Sequence, residues 1–237
     1  MSTGFPGFPR EAQQFLRDLA RHNHRDWFQP RKPVFEEMVK GPMRELVGKL
    51  NAAMMTFAPE YVSDPDKAIY RIYRDTRFSK DKTPYKDHIA ASFRRPGQPG
   101  AAHAGCYFEV SHKNVGIGGG VYMPEPDALL AIRSHIAERH QDLRRILKAA
   151  AVRRLFGDPQ GDRLTRVPKG FPADHPAADL LRFKSLFLWT ELPADVAATP
   201  ALYREILTRF RAMTPFLDFL NAAPPKPRRK LDARDLF

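Results

Sequence analysis

The sequence predicts an α+β fold, with a mainly antiparallel sheet of about four to five strands and helices packed on it. Three observations carry this. Apolar residues recur at helical spacing toward both ends of the chain. Short apolar or alternating runs cluster in the middle. Gly and Pro punctuate the runs closely, so helices bracket a central group of strands.

The elements follow in order. Glu11 to Arg21 reads as a helix, with Ala12, Phe15, Leu16 and Leu19 on one face and Pro9 at its entry. His22-Asn-His-Arg-Asp26 breaks it, and Trp27 and Phe28 anchor the core beside the break. Pro33 opens a second helix, which Gly41-Pro42 interrupts or kinks before an apolar stripe runs on from Met43 to Phe57. Ala68 to Arg74 reads as a strand in which Arg71 and Arg74 point to opposite faces. Residues 76–86 contain Pro84 and little periodicity, so they form a long loop. His88 to Phe93 is a strand, and Ala104 to Val110 pairs with Asn114 to Val121. Pro126 opens a helix, and a further helix runs from about Asp142 to Phe156. Pro176 starts a short helix, Ser185 to Thr190 is a buried strand, and Pro200 to Leu220 is a long amphipathic helix kinked at Pro215. Residues 1–223 are expected to form one domain, and 224–237 a basic, proline-rich, mobile tail.

The chain has 237 residues, 43% hydrophobic and 11% aromatic, enough for a substantial core. No apolar run is long enough for a membrane span, and the N-terminus does not read as a secretory signal. The one cysteine, Cys106, reads as a small core residue, and a cytoplasmic location is expected. The net charge of +12 is uneven: residues 67–95 hold nine cations against three acids. Such a field favours anionic partners without choosing among them.

That segment carries the most chemistry. Arg71, Arg74, Arg77, Lys80, Lys82 and Lys86 surround Asp75 and Asp81, interleaved with Tyr70, Tyr73, Phe78 and Tyr85. Forked and point cations together suit a carboxylate or phosphate. Arg74 with Asp75, and Lys80 with Asp81, also have the makings of internal pairs that pin a long loop. Nearby cations lower a carboxylate pKa, which makes either Asp a poor base and a good orienter.

The segment from Arg71 to Lys86, Arg-Ile-Tyr-Arg-Asp-Thr-Arg-Phe-Ser-Lys-Asp-Lys-Thr-Pro-Tyr-Lys, resembles the domain-of-unknown-function family 2461 of conserved hypothetical proteins. Phe5-Pro-Gly-Phe8, Asn23-His-Arg-Asp-Trp-Phe28, Gly118-Gly-Gly-Val-Tyr-Met-Pro124, Ile132-Arg133, Val167-Pro-Lys-Gly-Phe171 and Asp174-His-Pro176 share the resemblance, which runs from about Phe5 to Asn221. His22 stands where the family usually has asparagine, and Phe35 where it often has tyrosine. The resemblance implies that these polar motifs belong together and implies no reaction.

Other candidates are weaker. Gly116-Ile-Gly-Gly-Gly120 lacks the features of a phosphate loop and reads as a bulge or a close backbone approach. Lys169, between Pro168 and Gly170, is poised on a turn and joins Arg133 as a further cation. Ser79 lies within the loop, and neither it nor Ser185 has a nucleophile-elbow context. His88 and His175 are the better catalytic candidates among the histidines, and no spacing resembles a metal cage. The reading is a cationic, aromatic-lined pocket for an anionic small molecule, without cofactor or metal and away from any membrane. Arg71, Arg74, Arg77, Lys80, Lys82, Lys86, Arg133 and Lys169 supply charge, Asp75 and Asp81 orient it, and Tyr73, Ser79, Tyr85 and Tyr122 supply walls and hydroxyls. The alternatives are a nucleic-acid-binding module using this loop and the tail, and an interaction protein in which the loop is a structural clasp.

Overall fold

The computed structural model describes residues 4–77, 79–95 and 103–223. The basic tail therefore lies outside the described residues. Helix α1 spans Arg10–Arg21 and buries Ala12, Phe15, Leu16 and Leu19. The second helix, α2, spans Arg25–Val34, so it begins eight residues before the expected Pro33 and takes Trp27 and Phe28 into its first turn. Pro30 and Pro33 lie inside it. A π-helical turn, Phe35–Lys40, follows without a break and leads into α3, Gly41–Met54. The shift to wider hydrogen bonding absorbs the interruption expected at Gly41-Pro42.

The sheet has four antiparallel strands in sequence order: β1 His88–Phe93, β2 Gly105–Ser111, β3 Asn114–Val121 and β4 Leu186–Pro193. Helix α5, Pro126–Lys148, is continuous apart from a kink at Arg139. It therefore joins two stretches that the sequence separates. Short helices α6 (Ala150–Phe156) and α7 (Ala178–Leu181) follow, and α8 (Ala201–Asn221) carries Pro215 inside it.

One face of the sheet is core. Phe93 and Phe108 meet Phe210 of α8 at ring-centroid distances of 5.5 and 6.4 Å. Cys106 is buried here, and burial pushes its thiol pKa up, so it packs as a small apolar side chain. Strand register puts Ala90, Glu109, Gly116 and Glu191 in one row across the opposite face, and Ser92, Tyr107, Gly118 and Trp189 in the next.

The strand expected over 68–74 does not form as a regular strand. Asp64 caps a one-turn helix, α4 (Pro65–Ala68), by accepting from the Asp66 N–H at 2.8 Å. The chain then makes only isolated bridges, Ile69 with Ala91 and Tyr73 with Tyr85. Four residue steps on one side face six on the other, so no continuous ladder can keep register.

The glycines of β3 are not a bulge: each of Gly116, Gly118, Gly119 and Gly120 keeps a partner on both neighbouring strands. What they permit is close approach. A Cβ at Gly116 or Gly118 would run into the Trp189 ring, which lies over the β3 backbone. Gly118→Ala is therefore expected to lower stability by about 1–3 kcal/mol through overpacking, with the Leu188 carbonyl as well as the indole in the way. Chemical denaturation of the variant measures this.

Candidate functional site

The loop after α4 is held against the helices by two residues at the α1–α2 junction. The Asn23 side chain donates to the Tyr85 carbonyl at 2.9 Å and accepts from the Tyr85 N–H at 3.0 Å. Phe28 stacks on the Tyr85 ring at 4.2 Å and meets Tyr73 at 6.3 Å. Tyr73 and Tyr85 are themselves 5.4 Å apart. The Asn23-to-Phe28 motif is thus the seat on which the Arg71-to-Lys86 motif rests. Asn23→Ala strands two backbone groups of a buried residue and is expected to cost about 1–3 kcal/mol, measured by the denaturation midpoint.

Within the loop, three cations are engaged by the loop itself. Arg74 bonds both the Asp81 carboxylate and the Thr83 hydroxyl. Asp81 also accepts from the Thr83 N–H at 2.9 Å. Arg77 holds Asp75 with Nε at 3.0 Å and a terminal nitrogen at 2.8 Å, and Lys82 donates to the Thr76 carbonyl at 2.8 Å. Hydrogen bonds from Arg77 pull the Asp75 pKa down to about 2, and those from Arg74 and Thr83 do the same for Asp81. Neither carboxylate is a proton acceptor near neutral pH.

Two other cations, Lys86 and Arg71, lack such bonded partners. Lys86 places its ammonium 4.9 Å from the centre of the Tyr70 ring. Burial lowers its pKa, the neighbouring Arg71 lowers it further, and Glu109 opposes both. Neither the Arg71 nor the Lys86 side chain makes a hydrogen bond or ion pair among the described residues. The alternation that set Arg71 and Arg74 apart in the sequence thus corresponds to different surroundings: Arg74 is bonded within the loop, and Arg71 is bonded to nothing among the described residues while its charge acts on both Lys86 and Asp75.

Beside this pair the outer face of the sheet carries a row of rings. Tyr70 lies 6.1 Å from Tyr107, and Tyr107 lies 6.1 Å from Trp189. Polar bonds fix each ring. Arg94 donates to the Tyr70 hydroxyl at 3.1 Å, the Tyr107 hydroxyl donates to Glu109 at 2.6 Å, and the Trp189 Nε1 donates to Glu191 at 3.2 Å. Burial, with Glu109 adding to it, raises the Tyr107 hydroxyl pKa, so Tyr107 stays a donor. His88 sits at the edge, with Nε2 3.7 Å from Glu109 and Nδ1 3.2 Å from Asp87.

Asp87 supplies a pH dependence. The hydrogen bond from His88 is the largest cause that takes its pKa from the ordinary 3.8 down to about 2. A carboxyl lowered on folding stabilises the native state above its unfolded pKa and loses that contribution as pH falls through the folded value. Stability is thus expected to drop between pH 4 and pH 2, and Asp87→Asn to shallow that drop in acid titrations followed by circular dichroism.

The remaining sequence candidates lie apart from this group. Ser79 is half-buried within the loop, and Lys80 is exposed on it. Tyr122 is exposed beyond the end of β3, edge-on to Phe187 at 6.0 Å. Arg133 of α5 donates to the Phe183 carbonyl at 2.9 Å, and Lys169 is exposed on its turn. His175 accepts from the Ala177 N–H at 3.0 Å, as a local cap. No bond or ring contact among the described residues ties Tyr122, Arg133 or Lys169 to the loop. Tyr107, Glu109 and Trp189 escaped the sequence reading. Tyr107 and Glu109 alternate with the buried Cys106 and Phe108, which was the one legible signal; the register that sets Trp189 beside them across Gly118 is not written locally. No group of three or more His, Cys, Asp or Glu among the described residues is arranged to hold a metal ion.

These features define a class: an α+β protein with an antiparallel sheet whose outer face carries an aromatic row beside a self-pinned basic loop. The chain belongs to the family described as Conserved hypothetical protein (DUF2461), whose profile matches residues 11–219. No curated protein and no solved structure matches it significantly. Among the described residues, no helix is long and apolar enough to cross a membrane.

Proposed function

We propose that the protein binds a small anionic molecule bearing a planar ring, on the outer face of the sheet. The observation that carries this is the half-buried Lys86 ammonium over the Tyr70 ring, without a bonded carboxylate and with the Arg71 charge close enough to act on it. A half-buried ammonium beside a second cation is in deficit, and an incoming phosphate or carboxylate relieves it. Tyr107 and Trp189 continue the surface on which a ring can stack. The paired loop charges hold this surface in place. The clasp and the binding site are then two parts of one arrangement, with different residues in each.

Adenosine monophosphate is the probe that combines both chemistries. Calorimetric titration is expected to show tighter binding of it than of inorganic phosphate or adenosine alone, with quenching of Trp189 fluorescence that Trp189→Phe removes. Equal affinity for phosphate and for the nucleotide counts against the ring-stacking half of the reading.

A second reading is favoured by one observation: the three rings are spaced at 6.1 Å steps along an open four-stranded antiparallel sheet. Such rows stack successive bases of single-stranded nucleic acid. A short oligothymidine that binds more tightly than the mononucleotide, with affinity falling steeply as salt rises, selects this reading.

A further inference from the structure

A second charged cleft lies away from the sheet's outer face. It has a volume of about 630 Å³ and opens between the C-terminal part of α5, α6, the segment 158–163 and α7. Four cations line it, Arg144, Lys148, Arg153 and Arg163, against two carboxylates, Asp158 and Asp179. Two of the cations are committed. Asp179 holds Arg144 through two contacts, 2.7 and 3.2 Å, and Arg153 pairs with Asp158.

The other two are not. Arg163 lies over the Phe183 ring with its guanidinium carbon 4.1 Å from the centroid, and it makes no side-chain hydrogen bond or ion pair among the described residues. A guanidinium stacked by its face keeps its N–H edge available for a forked contact with an oxyanion. Lys148 is exposed, and its ammonium is equally without a bonded partner among the described residues.

The segment that carries Arg163 is built rather than loose. Gln160 bridges Phe187 and Arg163 bridges Phe183, while the Leu164 N–H donates to the Arg182 carbonyl at 2.7 Å and the Lys184 N–H to the Asp162 carbonyl at 2.7 Å. Gly161, at φ +136°, sits so close to the Ser185 carbonyl that no Cβ fits. The backbone therefore presents Arg163 from a fixed position, with little ordering left to do on binding.

We propose that this cleft is a second anion site, which takes a phosphate ester or pyrophosphate group between Arg163 and Lys148, with the Asp179-held Arg144 as a further donor. It is independent of the site on the sheet.

The test is calorimetric titration of inorganic pyrophosphate into the full chain at constant ionic strength. The variants are Arg163→Gln, Lys148→Glu and, as the control for the other site, the double variant Arg71→Gln/Lys86→Met. Each cleft substitution is expected to weaken pyrophosphate binding by about tenfold or more, while the control keeps a binding event of wild-type affinity. Lys148 is exposed, so its substitution leaves packing alone and keeps the test readable even if Arg163→Gln loosens the segment. Absence of pyrophosphate binding by the wild type, or unchanged affinity in Lys148→Glu and Arg163→Gln, overturns the proposal. Loss of all binding in the Arg71→Gln/Lys86→Met control, with the cleft variants unaffected, assigns the anion to the sheet site and overturns it as well.

Discussion

Phe28→Ala is expected to cost about 3–5 kcal/mol of stability, the range for removing a buried aromatic side chain. Phe28 is 1% exposed and touches four rings: Phe15, Phe35, Tyr73 and Tyr85. Two of these belong to the α1–α2–π-helical layer and two to the basic loop. The cavity thus opens where these loop rings are packed onto the helices. Urea denaturation gives the total. Hydrogen exchange is expected to show the loss of protection concentrated at the Arg74 and Lys86 N–H groups, which bond the Pro84 and Ile72 carbonyls at 2.9 and 2.8 Å. Phe28→Leu, which keeps most of the volume, is expected to lose much less.

The largest effect on binding is expected from Lys86→Met. Losing a charge-assisted contact costs on the order of 1.5–3 kcal/mol, about ten- to a hundredfold in affinity for the nucleotide. Its effect on the free protein has the opposite character. Methionine keeps the packing of the lysine stem over Tyr70 and removes a charge that burial and Arg71 both disfavour, so the melting temperature is expected to stay level or rise. Arg74→Gln is the contrast: it leaves Asp81 without its arginine and loosens the loop before any ligand is present. Thermal melts of the two variants, with and without nucleotide, separate a residue that serves the ligand from one that serves the loop.

The α+β class and the pairing of Gly105–Ser111 with Asn114–Val121 were legible because hydrophobic period and turn residues are local signals. The 68–74 segment misled for a physical reason. It has the composition of a strand, but the bridges at its two ends impose different registers, and register is a property of the partner. The α2 start is not legible because Pro33 looks like a first-turn proline, whereas the chain holds Pro30 and Pro33 within a helix that passes into a π-helical turn.

In the site, the sequence showed which residues were charged and not how they divide. Arg74, Arg77 and Lys82 are indistinguishable from Arg71 and Lys86 by type and spacing. Only the fold reveals that the first three are bonded within the loop, while Lys86 lies over Tyr70 and neither it nor Arg71 has a bonded partner among the described residues. The Trp189 platform was hidden further, since it depends on β3 glycines being paired with a strand some seventy residues away in sequence.

The most direct measurement is a calorimetric titration of adenosine monophosphate into the wild-type chain and into Arg71→Gln/Lys86→Met, with hydrogen exchange of the loop recorded on both. Binding by the wild type that disappears in the double variant, while the backbone N–H groups at positions 74 and 86 keep their protection, is the predicted result. Full-affinity binding by the double variant, or no binding by the wild type, contradicts the assignment of Arg71 and Lys86 as the ligand-facing cations.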